Sequence, residues 1–347
     1  FVASNEADYA DIRQRHRNRG DAKRLVTLGK AREQRFNGGW ADYTPPVPRQ
    51  PGLHVLDDYP LADLVEVIDW TPFFQAWELA GKFPAILTDE IVGTQASELY
   101  RDARAMLARI VDERWLTAKA VFGLWPANSV GDDVQLQTEQ GAATLHFLRQ
   151  QVDKPVERPD FCLADFIAPA DSGKHDWIGA FAVTAGIGIE PHVARSEPDP
   201  HDYNATLLKA LADRLAEALA ERLHQRVRTE YWGYASSEAL DNEALIDEQY
   251  VGIRPAPGYP ACPEHSEKGT LFRLLDAERN AGMQLTESFA MLPTAAVSGY
   301  YFSHPQSQYF VVGRVTREQV TDYARRKGVE RAQVERWLAS NLDYDPE

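Results

Sequence analysis

The sequence runs to 347 residues, 44% hydrophobic and 26% charged, ordinary values for a chain that folds around a sizeable core. Its formal net charge of −15 argues against nucleic acid as a general partner, and no apolar run is long enough to span a membrane. Two cysteines far apart, Cys162 and Cys262, make no disulfide framework and point to a cytoplasmic protein.

Charge is uneven along the chain. Between Arg13 and Arg35 a dense run of arginines and lysines faces only Asp21 and Glu33. Residues 5–35 suit a helix but lack an apolar stripe, and Pro45, Pro46, Pro48 and Pro51 make an extended connector. The start at Phe1 rather than Met suggests a piece of a longer polypeptide. Residues 1–50 are therefore expected to be a basic helical linker and connector, and residues 51–347 one domain.

Residues 63–68 suit a short helix or strand. Thr71 before Pro72 reads as the N-cap and first turn of a helix that buries Phe73, Phe74, Trp77 and Leu79 and stops at Gly81. Leu99, Ala103, Met106, Leu107, Ile110 and Val111 recur at helical spacing and predict a long amphipathic helix over 98–114. Residues 117–125 read as a strand ending at Trp125-Pro126. Residues 133–138 read as its partner across a Gly131-Asp132 turn. A further strand or short helix is expected over 145–150, and a buried strand over 176–189 that leaves at Gly186 and Gly188.

The clearest helix is 202–229, where Leu207, Leu211, Leu215, Leu219, Leu223 and Val227 recur every fourth residue. A short helix near 243–248, a helix over 269–281, strands over 285–290, 296–302 and 309–315, and two helices split at Gly328 complete the pattern. Those three strands, joined by short connections, should be antiparallel neighbours. The order predicts an α+β fold, with helices packed around a central antiparallel sheet rather than regular βαβ alternation.

Few motifs carry chemistry. Gly186-x-Gly188 lacks the third glycine and helix of a dinucleotide fingerprint, so a Rossmann-type methyltransferase is excluded. No Gly-x-Ser-x-Gly elbow occurs. Cys262-Pro-Glu-His265 has no second ligand pair at metal-binding spacing, so no metal site is expected and Cys262 reads as structural. One stretch stands out, Arg254-Pro-Ala-Pro-Gly-Tyr-Pro-Ala-Cys-Pro263. Its prolines hold φ near −65° and withhold N–H groups, so the segment follows a fixed extended path. Arg254 offers a fork that matches a carboxylate or phosphate, Tyr259 a flat ring, and Ala256 and Gly258 a close approach to backbone. The segment reads either as a preformed cradle for a small zwitterion with a planar part or as a rigid connecting loop whose arginine pairs internally.

The stretch RPAPGYPACPEH over 254–265 resembles the C-terminal activation domain of cobalamin-dependent methionine synthase. Its other landmarks follow in order: DWTPFF at 69–74, CLADF at 162–166, VRTEYWGY at 227–234, TESFAM at 286–291 and SGYYFSHP at 298–305. The resemblance implies a single, unusual C-shaped domain. It also implies S-adenosylmethionine as ligand, with Asp69 accepting from its α-amino group and Arg254 holding its carboxylate. Ala256, Gly258 and Tyr259 would line the pocket, and the strand-borne pair Tyr309 and Phe310 would meet the adenosyl end. Asp69 has a second reading, as a helix-entrance aspartate, and Glu217 and Glu248 are further carboxylates left unassigned to the sulfonium.

The activity implied belongs to a multidomain methyltransferase that makes methionine from homocysteine and methyltetrahydrofolate. In that setting the domain brings S-adenosylmethionine to oxidised cobalamin while a flavodoxin-like protein donates an electron. The domain supplies no nucleophile, so no catalytic residue is expected. Cobalamin would be held by another module of the same polypeptide, and the basic run could help dock that module or the electron donor. The competing reading is a stand-alone S-adenosylmethionine sensor.

Overall fold

A computed structural model describes residues 24–194 and 203–346. The chain divides into two compact units, one of residues 1–36, 148–162 and 311–347, the other of residues 37–147 and 163–310. The basic run lies partly outside the described residues, which begin at Arg24.

The larger unit is built on one antiparallel sheet. Its strands are β1 (Gly52–Tyr59), β2 (Thr117–Val130), β3 (Asp133–Thr138), β4 (Gly141–His146), β5 (Asp176–Ile187) and, after a two-stranded ribbon of β6 (Gln284–Leu285) and β7 (Met291–Leu292), β8 (Ala296–Tyr301). The order is β4-β3-β2-β5-β8, with β1 paired to the first half of β2. Every ladder is antiparallel, although only β2-β3 and β3-β4 are joined by short connections.

Alternation along the strands decides which residues meet the main core. Ala118, Ala120, Phe122 and Leu124 of β2 join Phe181, Val183 and Ala185 of β5 in the same buried cluster. Onto that face packs α3 (Tyr203–Arg226), after the helices α1 (Thr71–Ala76) and α2 (Gly93–Asp112). All five leucines of the α3 row and Val227 are fully buried. Each such side chain contributes about 1.5–3 kcal/mol of hydrophobic transfer. After the short α4 (Asn242–Ile246), α5 (Glu267–Leu275) and α6 (Ala277–Ala281) also pack on the central strands. The α+β architecture is as the sequence predicts.

Several local readings need correction. Strand β2 does not stop at Trp125-Pro126 but continues to Val130. On that flank β1 pairs only as far as Leu124 and β3 begins at Ala127, so Pro126 falls in the gap between two ladders. Helix α1 ends at Ala76, and Thr71 is its first residue rather than its cap. The 269–281 helix is two helices, broken where Asp276 takes φ 45°. Residues 286–290 are a turn, not a strand: the Ala290 N–H donates to Thr286 Oγ1, and Phe289 has φ 62°. Residues 309–314 form no strand, and the outer edge of β8 is taken by Ile253 and Pro255.

In the smaller unit, helices Leu28–Glu33, Arg317–Lys327 and Arg331–Trp337 surround a polar centre. The buried Gln319 side chain accepts from Arg149 N at 2.7 Å and donates to Arg149 O at 2.9 Å, standing in for a strand partner. Gly328 closes its helix at φ 72°, at the predicted break.

Candidate ligand-binding site

The proline stretch adds itself to the edge of the sheet. Ile253 N donates to Phe302 O and Phe302 N to Ile253 O, both at 3.0 Å, and Tyr300 N donates to Pro255 O at 2.9 Å. Pro255 contributes a carbonyl only, which is all this edge position asks of it. The close approach needs Gly299, since a Cβ there would lie 2.6 Å from Pro255 O and 3.3 Å from Ala256 Cα.

Beyond Pro255 the chain closes a tight turn. Tyr259 N donates to Ala256 O at 3.1 Å, Cys262 N to Tyr259 O at 3.0 Å, and Gly258 N to Cys262 O at 2.8 Å. Gly258 takes φ 96°, and a methyl group there would run into the His265 ring, so the position demands glycine twice over. The Cys262 thiol donates to Ala256 O at 2.9 Å and is pushed up by burial, which suits a structural cysteine rather than a nucleophile. The turn leaves Tyr259 59% exposed.

Arg254 is held at four points. Its backbone N–H donates to Tyr309 Oη at 3.0 Å. Its Nη2 donates to Glu221 Oε2 at 2.7 Å, and its Nη1 donates to Tyr250 Oη at 2.9 Å and lies 3.3 Å from His224 Nδ1. Glu221 and His224 stand three residues apart on α3 and so share a helix face. Burial, reinforced by Arg228 and then Arg254, pushes His224 well below the ordinary imidazole range; a neutral ring then leaves Nδ1 as an acceptor. Burial also raises the Glu217 carboxyl against the pull of Arg214 and Arg254. Glu248 faces the Arg254 charge as well, at a residue with φ 55°.

The site residues predicted from sequence are therefore brought together in part. Arg254, Ala256, Gly258 and Tyr259 form one loop, and Tyr309 joins it through its hydroxyl. Phe310 lies instead against Phe166, ring centroids 6.4 Å apart. Asp69 Oδ1 accepts from Thr71 N at 3.0 Å at the start of α1. Tyr309 and Phe310 are loop residues, a correction to their strand-borne placement. Sequence reasoning passed over Glu221, His224 and Tyr250. The available signal was a pair of polar residues, three apart, on an otherwise leucine-rich helix.

A separate open cleft of about 1140 Å³ lies between β1 and the C-terminal half of α3 and includes none of the predicted site residues. Around Arg254, by contrast, Glu221 Oε1 and His224 Nε2 are buried without a hydrogen-bond partner among the described residues. Such orphaned atoms beside a clamped guanidinium and an exposed ring suit a small ligand that carries a carboxylate, a donor and an aromatic part.

The family model for the activation domain of vitamin B12-dependent methionine synthase matches residues 60–328. The chain belongs to that family. The crystal structure of the MetH reactivation domain bound to AdoHcy is similar to this activation domain with a TM-score of 0.89 and 53% sequence identity, covering 92% of this chain and 99% of that one. Among its described residues no helix is long and apolar enough to cross a membrane.

Proposed function

We propose that this activation domain binds S-adenosylmethionine at the Arg254 loop and serves the reductive remethylation of cobalamin within a methionine synthase. The observation that carries the proposal is the clamped Arg254 fork on a proline-fixed loop. It is supported by the AdoHcy bound to the similar reactivation domain, a molecule with the same carboxylate, amine and adenosine groups. When bound, S-adenosylmethionine supplies an electrophilic methyl group.

The work of this chain is to bind and orient. Arg254 holds the ligand carboxylate, and its fork suits two parallel N–H bonds better than a lysine would. Asp69 takes the α-amino group. Ala256 and Gly258 give the ligand access to backbone, while Tyr259, Tyr309 and Phe310 meet the adenosyl end.

The protein is then the reactivation part of a cytoplasmic methyltransferase. Residues 1–50 form the linker to it and residues 51–347 the functional domain. Its partners are a cobalamin-binding module of the same polypeptide and a flavodoxin-like electron donor. The test is titration calorimetry with S-adenosylmethionine on wild type, Arg254→Lys and Arg254→Ala. Losing a partner of a partly buried charge weakens binding by about 2–5 kcal/mol, so Arg254→Ala should bind at least roughly thirtyfold more weakly, and Arg254→Lys in between. Unchanged affinity in Arg254→Ala defeats the assignment.

A further inference from the structure

Three side chains grip the Arg254 guanidinium, and the carboxylate reading by itself calls for none of them. We infer that Glu221, His224 and Tyr250 are positioning residues, which hold the Arg254 fork in the one orientation that presents its remaining N–H groups to a ligand carboxylate. The inference rests on the reading of Arg254 as the carboxylate anchor.

An arginine carries five N–H donors. Here Nη1 is engaged by Tyr250 and His224 and Nη2 by Glu221, so Nε and the rest of Nη2 remain to offer. The gripping groups are themselves immobile. His224 is fully buried, stacks on Tyr301 at 5.2 Å and 10°, and meets Tyr250 edge-on at 4.9 Å. Tyr309 anchors the Arg254 backbone, its hydroxyl receiving the Arg254 N–H at 3.0 Å. A guanidinium restrained at side chain and main chain loses little further freedom when it binds.

Glu221 sets the sign of a decisive test. By charge alone, removing a carboxylate beside Arg254 should tighten the capture of a second carboxylate. If Glu221 instead orients the fork, removing its charge loosens it and weakens binding.

The experiment compares S-adenosylmethionine with its decarboxylated analogue by titration calorimetry on the folded protein. Tyr250→Phe deletes one hydroxyl, and His224→Phe one acceptor. Each should weaken S-adenosylmethionine about three- to tenfold, the range of a single hydrogen bond, and leave the analogue nearly unchanged. His224→Asn, which restores an acceptor, should recover much of the loss. Glu221→Gln should weaken S-adenosylmethionine roughly tenfold. Tighter or unchanged binding in Glu221→Gln together with an unaffected Tyr250→Phe overturns the inference. Equal losses on both ligands overturn it too, because they place these groups on another part of the ligand. Arg254→Ala is the reference. If it separates the two ligands and the other variants do not, only the positioning role falls. If Arg254→Ala itself fails to separate them, the anchor reading falls and the inference with it.

Discussion

Replacing Gly299 by alanine tests whether the sheet edge sets the geometry of the Arg254 loop. Gly299 pairs with Phe181 inside the sheet, so the backbone tolerates alanine and only space is at issue. The new methyl carbon would lie 2.6 Å from Pro255 O, 3.1 Å from Phe181 Cε1 and 3.3 Å from Ala256 Cα. A carbon and a carbonyl oxygen ordinarily meet at about 3.3–3.6 Å, so the loop must lift by about 0.7–1 Å. That strains the 2.9 Å bond from Tyr300 N to Pro255 O. Overpacking contributes about 1–3 kcal/mol of destabilisation and the weakened bond about 0.5–1.5 kcal/mol, offset by about 0.5–1 kcal/mol for replacing a strand glycine. A net loss of about 0.5–4 kcal/mol is expected in urea unfolding. Binding geometry tolerates only about 0.5 Å, so S-adenosylmethionine affinity should fall roughly tenfold or more. Gly269→Ala is the control, since its methyl would meet only Phe289 Cε1, at an ordinary 3.6 Å. Wild-type affinity in Gly299→Ala would refute the claim that β8 positions the loop.

Asp69→Asn keeps the oxygen that accepts from Thr71 N, so the ligand-free thermal midpoint should hold while S-adenosylmethionine binding weakens roughly tenfold; intact binding would remove Asp69 from the site. Leu215→Ala, at a fully buried position of α3, should lower unfolding stability by about 2–5 kcal/mol, and a loss under about 1 kcal/mol would contradict the packing of that helix on the sheet. Burial pushes the Asp176 carboxyl up to about 7 from an unfolded value near 3.8, although the Ala168 and Trp177 N–H groups favour its charged form. The folded state thus binds this proton more tightly, so the Asp176 contribution to stability is complete below about pH 4 and is lost as pH rises towards 7. Carboxyl-carbon NMR should find its midpoint near 7, and a value at or below the unfolded one would contradict the burial argument.

Both the path of the Arg254 loop and the long helix are legible in the sequence, for different reasons. The α3 row is a repeat at helical period, and all six of its positions are buried. The loop is a run of residues whose backbone choices are few, and its turn closes as glycine and proline permit. Tyr309 was named as a site residue, yet its role in receiving the Arg254 N–H has no trace in local pattern. The strand readings at 285–290 and 309–315 failed because β-branched and aromatic residues say only that a segment suits a half-buried surface. Whether an edge is free to receive it is a separate matter.

What the sequence by itself determined was whatever depends on near neighbours along the chain: the helical leucine row, the Gly131-Asp132 hairpin, the glycine closing at Gly328 and the rigid path after Arg254. Propensity, φ restriction and periodicity act within a few residues, so they can be read in order. Tertiary structure alone decided which segment took the outer edge of β8, that Pro126 could sit within a strand, and that Glu221, His224 and Tyr250 converge on one guanidinium. Those outcomes depend on which strand edges, cavities and buried charges meet across long separations, and pairing is settled there by competition between segments rather than by the residues of any one of them.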